Sequence, residues 1–227
     1  MTGSRPTPRV RVAVLDYGAG NLVSIGRALE IVGAEPVVTR DAATLGGTDA
    51  LVVPGVGAAA PAMARLHRRG LVRPVRAWVA AGRPLLGICL GLQLLFEGSD
   101  EDRARTLGIL PGRTARLVDA PRLPHIGWNA VDQRRSHPLF EGIADGAEFY
   151  FVHSYAACPA GPGASGLVLA ETSHGGRFVS ALARGTLAGV QFHPERSGHD
   201  GLRLLRNFVA MAACRKAAGL EAARCSA

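Results

Sequence analysis

Residues 84–95 read PLLGICLGLQLL, an apolar run that enters the pattern Gly87-x-Cys89-x-Gly91 and continues with helical spacing. This pattern is typical of a buried strand that turns sharply into a helix. Glycines on both sides of Cys89 allow the turn without side-chain clashes, and the nearby helix N-terminus favours negative charge on sulfur. The stretch therefore predicts a nucleophile elbow with Cys89 as a thiolate nucleophile. The glycine frame disfavours the alternative of an inert core cysteine.

Apolar runs alternate with helical patterns on either side of this stretch. We predict first-half strands at 10–15, 36–39, 50–53 and 84–88, and helical segments after Leu22 and at 63–69 and 72–81. In the second half, strands are predicted at 148–152, 168–171, 178–183 and 188–192, and an amphipathic helix at 201–214. When strands alternate with helices, each helix forms a crossover connection between two parallel strands. The helices then cover both faces of the sheet. The sequence thus predicts an α/β fold with an open, mostly parallel sheet and helices on both faces.

The length and hydropathy are those of one domain. A chain of 227 residues with 48% hydrophobic content buries roughly 70% of its unfolded surface. We predict a flexible N-terminal extension over 1–9, a single folded domain over 10–214 and a frayed C-terminal tail over 215–227. No apolar run reaches the ~18 residues that span a bilayer, and residues 1–9 lack the apolar stretch of a signal peptide. We therefore expect a cytoplasmic protein with no membrane partner.

The charge and the cysteines argue against other classes of function. The formal net charge is +8, but the basic run at 65–76 has no interleaved aromatic residues, so a solvated helix face is the better interpretation. We expect no nucleic-acid partner. The cysteines Cys89, Cys158, Cys214 and Cys225 are widely separated and form no C-x-x-C pair. Neither a zinc site nor a disulfide framework is indicated, and we expect no metal and no cofactor.

A second apolar run, residues 188–192, ends in the motif His-Pro-Glu at 193–195. A strand that delivers an imidazole at its exit makes His193 the candidate general base. In extended backbone, residues i and i+2 point to the same side, so Glu195 can reach back and orient the ring. Cys89, His193 and Glu195 are therefore predicted to form a triad. His153 also ends an apolar strand but lacks a following carboxylate, so we interpret it as a site-lining or structural residue.

Residues 51–57, LVVPGVG, take another strand into a glycine-flanked turn. Such a turn can direct backbone N–H groups at an oxyanion, and one donor of this kind is worth about 10²–10³-fold in rate. An ordinary β-turn is the competing interpretation. The position after a parallel strand favours the catalytic one, because open α/β sheets place their sites at that edge.

Together these motifs resemble the triad glutamine amidotransferases and, within them, the glutaminase subunits of imidazole glycerol phosphate synthase. The similarity covers nearly the whole chain and is carried by the segments 16–22 (DYGAGNL), 54–57 (PGVG), 87–93 (GICLGLQ), 125–129 (HIGWN), 149–155 (FYFVHSY) and 191–197 (QFHPERS). The resemblance implies a flavodoxin-like, class-I amidotransferase fold and makes residues 10–214 a glutaminase domain. It also implies that L-glutamine forms a γ-glutamyl thioester on Cys89.

The resemblance implies roles for further residues. Backbone N–H groups of Val56 or Gly57 and of Leu90 would form the oxyanion hole. The positions that would hold glutamine are Gln93, Ser154 and Tyr155, with the acidic stretch at Glu101 binding the amino group. The positions near the partner face, along the ammonia route, are Asn21, Trp128 and Arg196.

The implied partner is a (β/α)₈-barrel cyclase, which forms a heterodimer with the glutaminase. It would use the ammonia to make imidazole glycerol phosphate and aminoimidazole carboxamide ribotide in histidine biosynthesis. No phosphate-binding loop or metal cluster is evident, so we expect a separate polypeptide to handle the acceptor. The free glutaminase should be nearly idle. Gly55 and Gly57 bound a peptide that can flip at modest cost, which suggests how a nucleotide-loaded cyclase raises the rate.

Three residues depart from the family's usual pattern: Ala59 replaces Phe, Ile126 replaces Met and Arg196 replaces Lys. We expect the first two to alter packing near the site, and the third to keep an interface salt bridge with altered geometry, because a guanidinium is a planar fork. The alternatives are the glutaminase of another triad amidotransferase, such as pyridoxal phosphate synthase, a non-catalytic interaction subunit, or a cysteine hydrolase or peptidase acting alone. The first is disfavoured because its oxyanion strand typically reads Pro-Gly-Gly.

Overall fold

The computed structural model describes residues 9–225, with side chains described as far as residue 218, so residues 1–8 of the predicted extension lie outside it. The strands are β1 (Arg11–Leu15), β2 (Glu35–Thr39), β3 (Ala50–Val53), β4 (Leu85–Ile88), β5 (Gly98–Ser99), β6 (Gly112–Arg116), β7 (His125–Ala130), β8 (Asp132–Gln133), β9 (Glu148–His153), β10 (Tyr155–Pro159), β11 (Val168–His174), β12 (Gly176–Arg184) and β13 (Leu187–Val190). The α-helices are α1 (Leu22–Ile31), α2 (Ala42–Leu45), α3 (Ala59–Arg68), α4 (Val72–Ala80), α5 (Leu90–Gln93), α6 (Ala164–Leu167) and α7 (Gly198–Cys225).

Five neighbouring strands of the main sheet, in the order β2-β1-β3-β4-β13, run parallel. Strands β3, β4 and β13 are buried at every position, as expected where helices cover both sides of a sheet. The predicted α/β class and its parallel sheet are confirmed. The carboxyl ends of β3, β4 and β13 lie at one edge, so the motifs that follow these strands converge there.

The alternation of side chains along β1 separates two apolar cores. Val12 and Val14 pack on the face covered by α1 and α7, whereas Ala13 and Leu15 pack on the face covered by α3 and α4. Because successive residues of a strand point to opposite faces, one short strand supplies both cores. The predicted placement of helices on both faces is confirmed.

Beyond β13 the sheet continues with antiparallel pairs through β12, β10 and β6, and β7 and β9 form a separate two-stranded sheet. Strands β5, β6, β7, β8 and β10 were not predicted. The segment 156–166 is rich in Gly and Pro, which is typical of a loop, but its first residues belong to β10 because β6 and β12 pair with them. Tertiary pairing overrides a weak local strand signal here.

Helix α7 is longer than predicted, since it continues past residue 214 to Cys225. Lys216 helps to hold this last part against the domain, with its Nζ 3.0 Å from Asp49 Oδ2. The predicted frayed tail is therefore helical up to Cys225, and residues 226 and 227 lie outside the described part. Within residues 9–225, no helix is both long enough and apolar enough to cross a bilayer.

Candidate active site

Cys89 stands between β4 and α5 with a backbone φ of +53°. A positive φ is uncommon for a residue with a side chain and persists only when its surroundings hold it. Its N–H donates to the Val190 carbonyl at 2.8 Å, which ties the turn to β13. A Cβ added at Gly91 would overlap the Val53 carbonyl oxygen, so only glycine fits there. The strand, strained turn and helix form the elbow that the sequence predicted.

His193 and Glu195 follow the exit of β13 and face each other. The distance from His193 Nδ1 to Glu195 Oε1 is 2.9 Å, and the two side chains are only 6% and 4% exposed. The pairing is as predicted, but the extended backbone assumed for it is wrong, because residues 194–196 form a 3-10 helix. Pro194 begins that turn, where its fixed φ suits the geometry, and the turn brings the carboxylate back to the ring.

The environment of His193 favours its protonated form. Burial alone would lower the pKa of His193, but the interactions with Cys89 and Glu195 outweigh it and raise the pKa to about 10. Nε2 is buried and meets no partner at hydrogen-bonding geometry among the described residues. With Nδ1 held by Glu195, Nε2 is the nitrogen available to exchange a proton.

We expect His193 to make the stability of the fold depend on pH. Its folded-state pKa of about 10 lies above its ordinary value of 6.5, so its stabilisation is complete below that ordinary value and is lost as the pH rises towards 10. Urea titrations between about pH 6 and pH 10 should show the free energy of unfolding falling by on the order of a few kcal/mol more for wild type than for His193→Asn. Parallel curves would contradict this assignment.

A cavity of about 290 Å³ opens beside Cys89. All seven residues predicted for the oxyanion hole and the substrate lie on its wall: Val56, Gly57, Leu90, Gln93, Glu101, Ser154 and Tyr155. The volume of this cavity is just below the roughly 300–1,000 Å³ of ordinary ligand pockets, so it suits a single small molecule. A larger depression of about 780 Å³ on the surface contains no member of the predicted triad. The smaller cavity is therefore the candidate site.

The predicted oxyanion hole is closed in this structure. The Leu90 N–H, one of its expected donors, donates instead to the Gly55 carbonyl at 3.3 Å. Upstream, the buried Tyr17 hydroxyl donates to the Pro54 carbonyl at 2.8 Å, and a Cβ at Gly55 would overlap that hydroxyl oxygen. At Gly57, by contrast, an added Cβ would meet no atom within 4 Å. The turn is held at its Pro54 end and open at its Gly57 end.

Comparison with known proteins places the chain in a family. Residues 13–212 match the family model described as glutamine amidotransferase class-I. Imidazole glycerol phosphate synthase subunit HisH of Symbiobacterium thermophilum is 49% identical over 202 residues, which cover 88% of this chain and 94% of that one. The HisH subunit of Aromatoleum aromaticum is 47% identical over 212 residues, which cover 88% and 98%. The chain belongs to the HisH family of class-I glutamine amidotransferases.

Solved structures agree with the amidotransferase fold. The structure of PurLQS from Thermotoga maritima superposes with a TM-score of 0.70 at 18% identity, covering 89% of this chain and 99% of that chain. A crystal structure described as glutamine amidotransferase gives a TM-score of 0.67 at 24% identity, covering 89% and 98%. At these identities the likeness concerns the fold alone.

Two of the three predicted interface residues of this amidotransferase share an exposed patch. The Arg196 guanidinium lies 4.1 Å from the centre of the Tyr150 ring, and Trp128 meets the same ring edge-on with centroids 6.3 Å apart. Trp128 is 53% exposed. Asn21 has a different position, since its Oδ1 accepts from the Ser24 N–H at 3.2 Å and caps helix α1.

Ala59 and Ile126, the two departures from the family's pattern that were expected to alter packing, have different surroundings. Ala59 is buried at the start of α3, close to the cavity residue Ala58. Ile126 is 60% exposed, so its side chain packs little against the rest of the chain. It lies on the outer face of β7, two residues before Trp128.

Gln191 contacts the reacting cysteine, although the sequence motifs assigned it no role. Gln191 is completely buried, and its Nε2 donates to Cys89 Sγ at 3.5 Å while its Oε1 accepts from Gln93 Nε2 at 3.1 Å. Gln191 therefore places an amide donor against the reacting sulfur. The signal was present in the sequence, because Gln191 precedes His193 by two positions and residues so spaced share one side of a strand.

Proposed function

We propose that this chain is the glutaminase subunit of an imidazole glycerol phosphate synthase, located in the cytoplasm and paired as a heterodimer with a (β/α)₈-barrel cyclase. It hydrolyses L-glutamine to glutamate and ammonia and delivers the ammonia to the cyclase. The observation that carries the proposal is the buried His193–Glu195 pair at 2.9 Å, assembled with the strained Cys89 turn beside a cavity for a single amino acid. The 49% identity to a HisH subunit supports the same choice over other triad amidotransferases.

The proposed chemistry begins at sulfur. The Cys89 thiolate attacks the carboxamide carbon of glutamine, forming a C–S bond while the carbonyl electrons move onto oxygen. His193, whose pKa is raised to about 10, donates its proton to the leaving nitrogen as the C–N bond breaks, which releases ammonia and leaves a thioester. Neutral His193 then accepts a proton from water as the water attacks the thioester. Collapse of that intermediate releases glutamate and restores the thiolate and the imidazolium.

The cavity wall supports binding of glutamine by both ends. Gln93, Glu101, Ser154 and Tyr155 all lie on the wall of the cavity. Burial raises the pKa of the Glu101 carboxyl, and Asp102 raises it further. An ammonium group placed beside Glu101 offsets both effects. We therefore propose that Glu101 binds the α-amino group of glutamine.

The closed turn supports an idle resting state. Rotation of the Gly55–Val56 peptide removes the Gly55 carbonyl from the Leu90 N–H and presents the Val56 N–H, which supplies two donors to the oxyanion. Gly55 has no side chain to resist that rotation. We propose that docking of the nucleotide-loaded cyclase favours the rotated state.

The decisive experiment measures glutamate release by the chain alone, with the cyclase, and with the cyclase and its nucleotide. We expect the nucleotide-loaded complex to exceed the free chain by about 10²–10³-fold, the effect of opening an oxyanion hole. Equal rates in all three conditions would contradict the coupling to a cyclase. No glutamate under any condition would contradict the glutaminase assignment.

A further inference from the structure

A row of three polar side chains, Asn129, His125 and His153, reaches the wall of the cavity at His153. Strand β7 pairs with β9 so that His125 lies opposite His153, and both rings are buried. His125 Nδ1 is 3.1 Å from His153 Nε2, and Asn129 Nδ2 is 3.2 Å from His125 Nε2. At the other end, His153 Nδ1 is 2.9 Å from the Tyr155 carbonyl oxygen. Every ring nitrogen of the two histidines therefore has a partner.

The partners determine where each proton lies. A carbonyl only accepts, so His153 must donate from Nδ1 to Tyr155, and its Nε2 must accept. His125 then donates from Nδ1, and its Nε2 accepts from Asn129. The amide of Asn129 is oriented by two further bonds, since its Oδ1 accepts from the Ala130 N–H at 2.9 Å and its Nδ2 donates to the Ser173 carbonyl at 2.9 Å. The hydrogen bonds run in one direction, from Asn129 to Tyr155.

The row retains this direction only while both rings are neutral. Burial lowers the pKa of His125 to about 4 and that of His153 to about 3, with contributions from neighbouring histidines. His174 stacks on His125 with centroids 4.0 Å apart. A proton added to either buried ring would set two donors against each other, which the buried site disfavours.

The Tyr155 carbonyl joins the row to the reacting sulfur. It accepts a second hydrogen bond from Gln93 Nε2 at 2.8 Å. Gln93 also donates to Gln191, whose amide donates to Cys89 Sγ at 3.5 Å. The Tyr155 carbonyl oxygen thus accepts two hydrogen bonds, one from His153 and one from Gln93. The main chain at Ser154 and Tyr155, on the cavity wall, is fixed between these two donors.

We propose that Asn129, His125 and His153 are positioning residues for glutamine, which hold the main chain at Tyr155 in the conformation that binds the substrate. The inference rests on the proposed glutaminase function and deepens it. None of the three side chains needs to take part in bond making. Their loss should therefore weaken substrate binding and leave the chemical step nearly intact, a pattern that general destabilisation of the fold does not produce.

The test replaces His125 in the complete complex with the cyclase and its nucleotide. The His125 ring stacks on both Phe151 and His174. His125→Phe keeps an aromatic ring there but removes the hydrogen bonds to His153 and Asn129. We expect KM for glutamine to rise about ten-fold, the effect of roughly one misplaced hydrogen bond, with kcat within about two-fold of wild type. His125→Asn places an amide N–H where Nδ1–H stood and should return KM to within about three-fold of wild type, although the smaller side chain lowers stability.

A matched control separates positioning from stability. Asn207 of α7 donates to the carbonyls of Leu139 and Glu141 at 3.1 and 2.8 Å, away from the cavity. Asn207→Leu should lower the unfolding midpoint and leave KM unchanged. A KM that follows stability across the three variants, or an unchanged KM in His125→Phe, would overturn the positioning role. A wild-type complex that releases no glutamate would instead contradict the proposed function itself.

Discussion

Replacement of Cys89 by alanine is expected to lower glutamate release by the nucleotide-loaded complex by on the order of 10⁴-fold or more. Alanine supplies no nucleophile, and a residual rate would come only from water attacking a bound carboxamide. The change is small in volume, and the Cys89 side chain is buried, so we expect the fold to tolerate it. Steady-state glutamate release measures the effect directly.

The control for this variant is Cys158→Ala. Cys158 is exposed on β10 and is absent from the wall of the cavity. We expect its replacement to change the rate by less than about two-fold, as for most surface substitutions. The Cys89→Ala complex should also still form cyclase product when ammonium salt is supplied, which verifies that it assembles. Retained glutaminase activity in Cys89→Ala would exclude the proposed mechanism.

Replacement of Gly91 by alanine is expected to have the largest effect on stability. The added Cβ would overlap the carbonyl oxygen of Val53, which is backbone of the central strand β3 and cannot rotate away. Either β3 or the start of α5 must move, so we expect a loss of roughly 3 kcal/mol or more in the free energy of unfolding. Urea unfolding followed by circular dichroism measures this loss.

Gly26→Ala is the matched control for that substitution. Gly26 lies inside helix α1, and an added Cβ there would meet no atom within 4 Å. Because glycine is a poor helix former, this variant should be more stable by about 0.5–1 kcal/mol. If Gly91→Ala were as stable as wild type, the close approach of α5 to β3 would be wrong, and with it the geometry of the elbow.

Local patterns predicted the parts of the molecule that depend on local forces. The apolar runs at β1, β3, β4 and β13 were long and uninterrupted enough to indicate buried strands, and their alternation with helices indicated a parallel sheet. The glycines around Cys89 indicated the sharp turn because few other residues permit it. Because parallel strands end at one edge of a sheet, the motifs after β3, β4 and β13 were expected to converge there.

Non-local contacts decided what the patterns missed. Strand β10 exists because β6 and β12 pair with a segment that has weak strand propensity. Glu195 reaches His193 through a 3-10 turn, and the Leu90 N–H donates to a carbonyl from a different loop. Gln191 and the row formed by Asn129, His125 and His153 acquire their roles only when strands distant in sequence lie side by side.

The sequence by itself determined the fold class, the elbow at Cys89 and the pairing of His193 with Glu195, because hydrophobic periodicity, glycine geometry and short spacing are properties of neighbouring residues. Only the tertiary structure decided that the oxyanion turn rests closed and that a directed row of hydrogen bonds reaches Tyr155 from β7. The physical reason is that a hydrogen bond depends on distances of a few tenths of an ångström between atoms far apart in the chain. Such distances are set by packing of the whole domain.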